Sequence, residues 1–322
     1  MTVNVDLPVV GRTAPGASRA EVIAHIAEGA RLIRMKDLAN VVNAGQGHIG
    51  GEFSIIDVLA TLYLHEANIT ADNLDDPDRD RVILSKGHAA NALYTTFAAA
   101  GLLEAAELDT FVQPGSRLNG HPARTKVPGV EANTGPLGHG LPIAVGDALA
   151  AKIDGSPRRV FVLTGDGELQ EGSNWEALMF AAQQKLDNLC AVADRNHLQQ
   201  GATTEDTNDL APLDDKARAF GWEVAHVDAH DYGALLDAFA RLVEHNARHR
   251  ELVAIYTATA VSVLDADHPA HAWMAGHLAG TVEMFERAFE RGKKAGIVHP
   301  DAPSRLIART LTALSDGLQI QW

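Results

Sequence analysis

The chain has 322 residues, of which 46% are hydrophobic and 21% are charged, as in ordinary globular proteins. Its formal net charge of -15 argues against a nucleic-acid groove or an anionic membrane surface as the main partner. The single cysteine, Cys190, excludes a disulfide framework, and no apolar run reaches transmembrane length. We therefore expect a cytoplasmic protein.

The N-terminal part of the chain predicts a loose arm followed by a long helix. Residues 1–17 contain two prolines and two glycines and form the arm. Ser18 and Glu21 make a capping-box pattern, which opens a helix that we expect to end near Gly45.

Two glycine-containing loops with histidines come next. The loop at 45–51 exposes His48, and a helix is expected over residues 54–66. A short strand at 81–85 then leads into Lys-Gly-His at 86–88 and a helix of small residues. The positive end of that helix, with the lysine and the histidine, favours an anion site.

A long loop over residues 113–140 is rich in glycine and proline. It holds Gly-His-Pro at 120–122 and the run Gly-Pro-Leu-Gly-His-Gly at 135–140. Loops of this length inside compact domains are usually functional or disordered. A helix is expected to start directly afterwards, over 143–153, so we interpret the loop as backbone held close to a ligand.

The central pattern is an apolar run at 160–164 that ends in Gly-Asp-Gly at 165–167. A buried parallel strand has this composition, and ligands of open α/β sheets lie beyond the carboxyl ends of such strands. Asp166 therefore lies where a metal ligand belongs. The two glycines allow a phosphate to approach the backbone amides closely.

A second apolar run, at 189–194, is followed by Asn196. Twenty-eight residues, 168 to 195, separate Gly167 from this asparagine, which is the length of a crossover that returns the chain beside Asp166. A carboxylate, an amide oxygen and a backbone carbonyl suit a hard cation such as Mg²⁺.

The remaining pattern sets the fold class and the domains. A helix at 213–220 and a strand at 223–228 continue the alternation, which predicts an α/β fold with a three-layer arrangement, a parallel sheet with helices on both faces. We predict an N-terminal arm at 1–17, an α/β domain at 18–240 and a helical segment at 241–322.

With these motifs placed, residues 18–236 resemble the thiamine diphosphate-binding half of transketolase, in the split form whose halves are separate chains. Six motifs occur in the family's order: Gly47-His48, Lys86-Gly87-His88, Gly120-His121-Pro122, Gly135-Pro136-Leu137-Gly138, Gly165-Asp166-Gly167 and Asp194-Arg195-Asn196.

The resemblance implies a set of residues for the metal and the cofactor. Asp166, Asn196 and the carbonyl of Leu198 would hold Mg²⁺, or Ca²⁺ or Mn²⁺ in its place. Thiamine diphosphate would bind beside His88, Gly135, Leu137, Gly167 and Asn196.

Three further residues are implied as catalytic. His48 and His121 would face the sugar, and histidine suits this task because its pKa lies near working pH. Glu171 matches an acidic residue near the subunit interface, although a carboxylate at a helix N-terminus explains it as well.

The implied activity is transfer of a two-carbon ketol unit from a ketose phosphate to an aldose phosphate. The glutamate that activates the aminopyrimidine ring belongs to the pyrimidine-binding half, which this chain lacks. We therefore expect activity only with a pyrimidine-binding C-terminal subunit, in a homodimer or heterotetramer, and neither nucleic acid nor membrane as a partner.

Two departures from the family are visible. His139 stands where the family usually has glutamine, and no Gly-Lys-Gly follows the apolar run at 252–256. The family's late substrate-facing histidine could be represented by His268, His271 or His277.

The last 80 or so residues resemble the C-terminal ligand-binding helices of tetracycline-repressor-type regulators. Apolar residues recur at helical spacing over 279–295 and 306–322, and the stretches that carry the resemblance are 242–253, 267–271 and 316–322. The same helices could instead cover the sheet of the α/β domain. No helix-turn-helix pattern is present.

Two alternatives to a transketolase subunit stay open. The chain could be an inactive fusion that senses a ligand or dimerises through its helical tail. It could also be another thiamine-dependent carboligase, such as a deoxyxylulose-phosphate synthase or a dehydrogenase, although the motifs around His48 and His121 favour transketolase.

Overall fold

The computed structural model describes residues 2–241 and, beyond them, residues 279, 282–283, 286–287, 289–291, 293–294 and 298–309. The chain divides into two compact units, Met1–Glu244 and His245–Trp322. The domain boundaries expected from the sequence stay a prediction. In the described part of the chain, no helix is both long enough and apolar enough to cross a membrane.

A parallel three-stranded sheet forms the centre of the first unit. Its strands are β1 (Arg81–Leu84), β2 (Val160–Gly165) and β3 (Leu189–Asp194), in the order β1-β2-β3. The last residue of β2, Gly165, pairs with Asp194 at the end of β3. The carboxyl ends of these two strands therefore meet at one edge of the sheet.

The helices around the sheet are amphipathic or rich in small residues, and their bounds can be given together. They are α1 (Arg19–Ala44), α2 (Ile49–Thr61), α3 (Ala90–Ala100), α4 (Gly140–Ile153), α5 (Gly172–Gln183), α6 (Thr204–Asn208) and α7 (Leu213–Ala219). A π-helical turn, Leu62–Glu66, continues α2, and residues 232–241 are also helical.

Strand β2 is buried on both faces, which is why its sequence is continuously apolar. Phe161 and Leu163 belong to the hydrophobic cluster that contains α1, α2 and α3. Val160 and Val162 point to the opposite face and belong to the cluster that contains α4 and α5. This alternation gives the helix–sheet–helix layers of the predicted α/β class.

Helix α1 begins and ends as its sequence predicts. The Ser18 hydroxyl accepts from the backbone of Glu21, whose carboxylate accepts from the backbone of Ser18, so the capping box is complete. Gly45 ends the helix in the left-handed conformation at φ 68°, which glycine adopts without strain.

Two helices begin earlier than the sequence predicted. Helix α2 starts at Ile49 instead of Ser54, and α4 starts at Gly140 instead of residue 143. The glycines that suggested loop lie in first turns, where the backbone amides need no partner within the helix. Only residues 45–48 of the first glycine-rich segment lie outside a helix.

The strand predicted at residues 223–228 was wrong, because none of these residues joins a strand. In a strand Glu223 would lie on one face and His226 and Asp228 on the other, so neither face would be apolar throughout. A hairpin that the sequence did not predict follows β3: β4 (Leu198–Gln199) pairs antiparallel with β5 (Ala202–Thr203).

In the second unit, every described residue from 279 to 294 is helical, as are residues 304–309. Within this unit Ser304 donates to Glu290 at 2.7 Å. Leu306 is 64% exposed. Several sequence predictions lie outside the described residues: Phe285, Ala288, Leu311, Leu314 and Leu318 of the two apolar faces, the strand at 252–256, the regulator-like stretches 242–253, 267–271 and 316–322, and the histidines His268, His271 and His277.

Candidate active site

Asp166 follows β2 directly and is only 5% exposed. One carboxylate oxygen accepts from the amide of Gly167 at 2.9 Å. The other accepts from the amide of His197 at 2.9 Å and from the hydroxyl of Thr204 at 3.2 Å. No cationic side chain of the described residues forms an ion pair with Asp166. This carboxylate is therefore buried, oriented by three donors and not neutralised.

Asn196 lies in the turn between β3 and the hairpin, and Leu198 is the first residue of β4. The amide of His197, between them, binds the Asp166 carboxylate, so the crossover returns the chain to Asp166. The side-chain oxygen of Asn196 accepts from the amide of Leu198 at 3.0 Å, whereas the Leu198 side chain is 64% exposed. His197 adopts φ 60°, which turns the backbone sharply at this point.

A buried ion pair joins β3 to the loop after β1. Lys86 is 1% exposed, and its ammonium group lies 2.5 Å from the Asp194 carboxylate. Ser54 of α2 donates to the same carboxylate at 2.6 Å and lies 3.5 Å from the amide nitrogen of Asn196. The anion site expected at Lys86 and His88 stays a prediction, and the lysine itself is already paired with Asp194.

Three histidines converge beside this ion pair. The rings of His48 and His88 lie 5.4 Å apart, edge to face. His121 contacts the backbone of Gly135, where a β-carbon would lie 2.9 Å from its ring. The structure therefore brings together the two histidines expected to face the sugar and the one expected near the diphosphate.

Burial sets the charge state of these rings. The pKa of His88 is lowered to about 4, chiefly by burial and then by the positive charge of Lys86 and by His48 and His121. The pKa of His121 is lowered by burial and by His48. Both rings are therefore neutral near pH 7 and able to donate one hydrogen bond and accept another.

The loop before α4 packs tightly against the strand ends. A β-carbon on Gly87 would lie 2.6 Å from the amide nitrogen of Gly135, so the two loops touch through their backbones. Gly135 has φ 142° and Gly138 has φ 80°, values that other residues rarely adopt. Leu137 of this loop is half-buried.

Glu171 and His139 both lie close to Gly138. Glu171 precedes α5 and is exposed. A β-carbon on Gly138 would lie 2.6 Å from the β-carbon of Glu171. The ring of His139 is exposed and lies 3.1 Å from the carbonyl oxygen of Leu137. The interface role of Glu171 stays a prediction.

Glu168, which the sequence analysis missed, ties the site together. Its carboxylate accepts from the Ser85 hydroxyl, from the amide of Gly138 at 3.0 Å and from the amide of Gly165 at 3.1 Å. Burial raises its pKa, although these three donors act in the opposite direction. The only sequence signal was an acidic residue directly after Gly-Asp-Gly, which a solvent-exposed turn would show as well.

These residues fit a metal-bound diphosphate at the carboxyl end of β2. The uncompensated Asp166 carboxylate, the Asn196 amide and the nearby Leu198 carbonyl are oxygen donors of the kind that Mg²⁺ prefers. Among the described residues, no three His, Cys, Asp or Glu side chains are grouped to hold a metal, so such a site would depend on amide and carbonyl oxygens. The Gly167 amide already donates to Asp166, so this glycine orients the carboxylate.

The chain was compared with known families and curated proteins. Residues 26–272 match the family model described as "Transketolase, thiamine diphosphate binding domain". The chain is 45% identical over 221 residues to an apulose-4-phosphate transketolase subunit from Actinobacillus succinogenes, covering 68% of this chain and 80% of the relative. It is 42% identical over 209 residues to a 6-deoxy-6-sulfo-D-fructose transketolase subunit from a Clostridium species, covering 65% and 76%.

Solved structures agree with these relatives. Transketolase from Campylobacter jejuni superposes with a TM-score of 0.64 at 31% identity, and that from Leishmania mexicana with 0.62 at 32%. Each match covers 67% of this chain but only 35% or 34% of the solved chain. The chain thus spans about a third of the length of the solved proteins it matches.

Proposed function

Because the chain belongs to the transketolase family and contains its thiamine diphosphate-binding domain, we propose that it is the cofactor-binding subunit of a split transketolase. It transfers a two-carbon ketol unit from a ketose phosphate to an aldose phosphate. The relatives named as subunits, of which this chain covers about four fifths or three quarters, support the split arrangement.

One observation carries the cofactor assignment: the Asp166 carboxylate is buried without a cationic partner among the described residues, and the turn that follows β3 binds it. A divalent metal would supply the missing charge, with Asn196 and the Leu198 carbonyl as its other protein ligands. A buried carboxylate that stays ionised needs such compensation. The metal would also neutralise the diphosphate, which an acidic chain could not do otherwise.

The side chains around the diphosphate have distinct tasks. Gly167 lies near the diphosphate and orients Asp166 through its amide. His88 stays neutral beside the diphosphate because burial and Lys86 oppose its protonation. The loop with Gly135 and Leu137 lies against the cofactor's rings and keeps water from them. Once bound, the cofactor supplies the carbanion equivalent that breaks and remakes the carbon–carbon bond.

His48 and His121 act on the sugar. Both residues are exposed, and His48 lies beside His88. Each ring offers one donor and one acceptor while neutral. They hold the hydroxyl groups of the ketose and exchange protons with them as charge develops on oxygen. Sugar phosphates are the proposed substrates, in line with the relative named for apulose-4-phosphate.

Turnover requires the pyrimidine-binding subunit, because the glutamate that activates the cofactor's aminopyrimidine ring belongs to that subunit. The test is an assay with thiamine diphosphate, Mg²⁺, a ketose phosphate donor and an aldose phosphate acceptor. We expect no transfer by the chain alone and transfer after addition of a pyrimidine-binding subunit encoded beside it. Robust turnover by the chain alone would contradict the partner requirement, and no turnover by the pair would contradict the activity.

A further inference from the structure

A pair of buried carboxyl groups lies behind the His48 loop. Asp37 belongs to α1 and Glu52 to α2, and both are at most 1% exposed. In each carboxyl group, one oxygen accepts a hydrogen bond from an amide. Asp37 accepts from the Asn91 amide at 2.7 Å, and Glu52 accepts from the backbone amide of His48 at 3.3 Å.

The other oxygen of each group is buried and has no ordinary donor among the described residues. The two carboxyl groups are close enough for each to shift the pKa of the other. Two carboxylates only accept, so a bond between them requires a proton on one of the oxygens. A single proton between the orphan oxygens of Asp37 and Glu52 would satisfy both, and no other described group satisfies either of them.

From this geometry we propose that Asp37 and Glu52 share one proton and act as a positioning pair that holds the backbone of His48 in place. The pair does not touch the substrate. It acts through His48, the N-cap of α2, whose amide donates to Glu52 and whose carbonyl accepts from the Glu52 amide at 2.9 Å. The positioning role rests on the proposed function, whereas the shared proton does not.

The charges around the pair allow it to keep its proton near neutral pH. Burial raises the pKa of both carboxyl groups, and the Glu52 charge raises that of Asp37 further. Two cations oppose this: Arg34 on α1 lowers the pKa of Asp37, and Lys86 after β1 lowers that of Glu52.

Both cations are committed elsewhere. Arg34 pairs with Asp57, and Lys86 pairs with Asp194. The group that α3 presents to Asp37 is the neutral amide of Asn91. Neither cation therefore replaces the shared proton.

The first experiment counts protons and needs neither cofactor nor activity. The full chain is unfolded in urea at pH 6.5 with a pH indicator. In the unfolded chain both carboxyls are ionised, so the wild type should release about one proton more than Glu52→Gln or Asp37→Asn. In each variant the new amide donates the bond that the proton had made.

Two comparisons sharpen the count. On unfolding, the double variant Asp37→Asn with Glu52→Gln should release as many protons as either single variant, because only one proton is shared. Glu28→Gln, an exposed carboxylate on α1 paired with Arg31, should release as many protons as the wild type. Equal release by wild type and Glu52→Gln would overturn the proposal.

The second experiment tests positioning in the reconstituted enzyme. Glu52→Ala removes the acceptor of the His48 amide, so we expect KM for the ketose donor to rise about fivefold or more, with the Kd for thiamine diphosphate unchanged. Glu52→Gln keeps an acceptor oxygen and should restore most of the donor KM. An unchanged donor KM in Glu52→Ala would overturn the positioning role. If the chain proves not to be a transketolase subunit, the proton count still decides whether the proton is shared.

Discussion

At the scale of single residues, charge in this site is controlled by burial as much as by residue type. Lys86 and Asp194 neutralise each other, and we propose that Asp37 and Glu52 share a proton. Asp166 is buried and has no cationic partner among the described residues. A divalent cation with a diphosphate is attracted to such a carboxylate. The other acidic groups at the strand ends are already satisfied.

His88 provides a prediction at this scale. Because its pKa is lowered to about 4, its ring should remain neutral through pH 6 and 5, and its NMR titration midpoint should lie well below the ordinary 6.5. Between pH 4 and pH 6.5 the unfolded chain binds a proton at His88 that the folded chain does not. Stability from His88 is therefore lost as pH falls from about 6.5 toward 4. A midpoint near 6.5 would contradict the burial of the ring.

At the scale of elements, the loops at the strand ends are held by buried polar contacts. Glu168 connects Ser85 after β1 with the amides of Gly138 and Gly165.

Glu168→Ala leaves these donors without a partner and should lower the free energy of unfolding by about 3 kcal/mol. Urea denaturation measures this. The exposed Glu176→Ala on α5 should change it by less than about 0.5 kcal/mol. Equal effects of the two variants would show that Glu168 has no such connecting role.

Gly138 gives a second test of these loops. Alanine there must adopt φ 80° and bring its β-carbon within 2.6 Å of the Glu171 side chain. The strain, about 1–3 kcal/mol, should shift the cofactor loop and weaken thiamine diphosphate binding about tenfold, as calorimetry would measure. Gly146→Ala on α4 is the matched control, because no atom lies within 4 Å of the new β-carbon. It should leave binding unchanged, and equal affinity of both variants would contradict the loop's role.

The elements also show where prediction from sequence succeeds and fails. The strand before Asp166 was predictable because continuous apolar residues must be buried on both faces. The histidine loops were predictable from glycine spacing. Glu168, Asp37 and Glu52 were not, because their burial depends on partners distant in sequence. The false strand at 223–228 failed for the same reason, since a strand needs a neighbour that no local pattern supplies.

At the scale of the whole molecule, the first unit presents its cofactor groups on one edge of a three-stranded sheet. The motifs proposed for metal and diphosphate follow β2 and β3, and the histidines come from loops around α2, α3 and α4. Under the proposed function this chain binds the cofactor, and turnover needs the assembled enzyme.

The central claim is that Asp166 and the turn around Asn196 hold a metal that carries the diphosphate. Calorimetric titration of the chain with thiamine diphosphate, with and without Mg²⁺, tests it most directly. We predict binding that requires Mg²⁺ and is weakened at least about 100-fold in Asp166→Ala. The Mg²⁺-dependent binding should be unchanged in the control variant Asp187→Asn, which removes a surface carboxylate paired with Lys152. Binding that is independent of Mg²⁺, or equally tight in Asp166→Ala, would contradict the account.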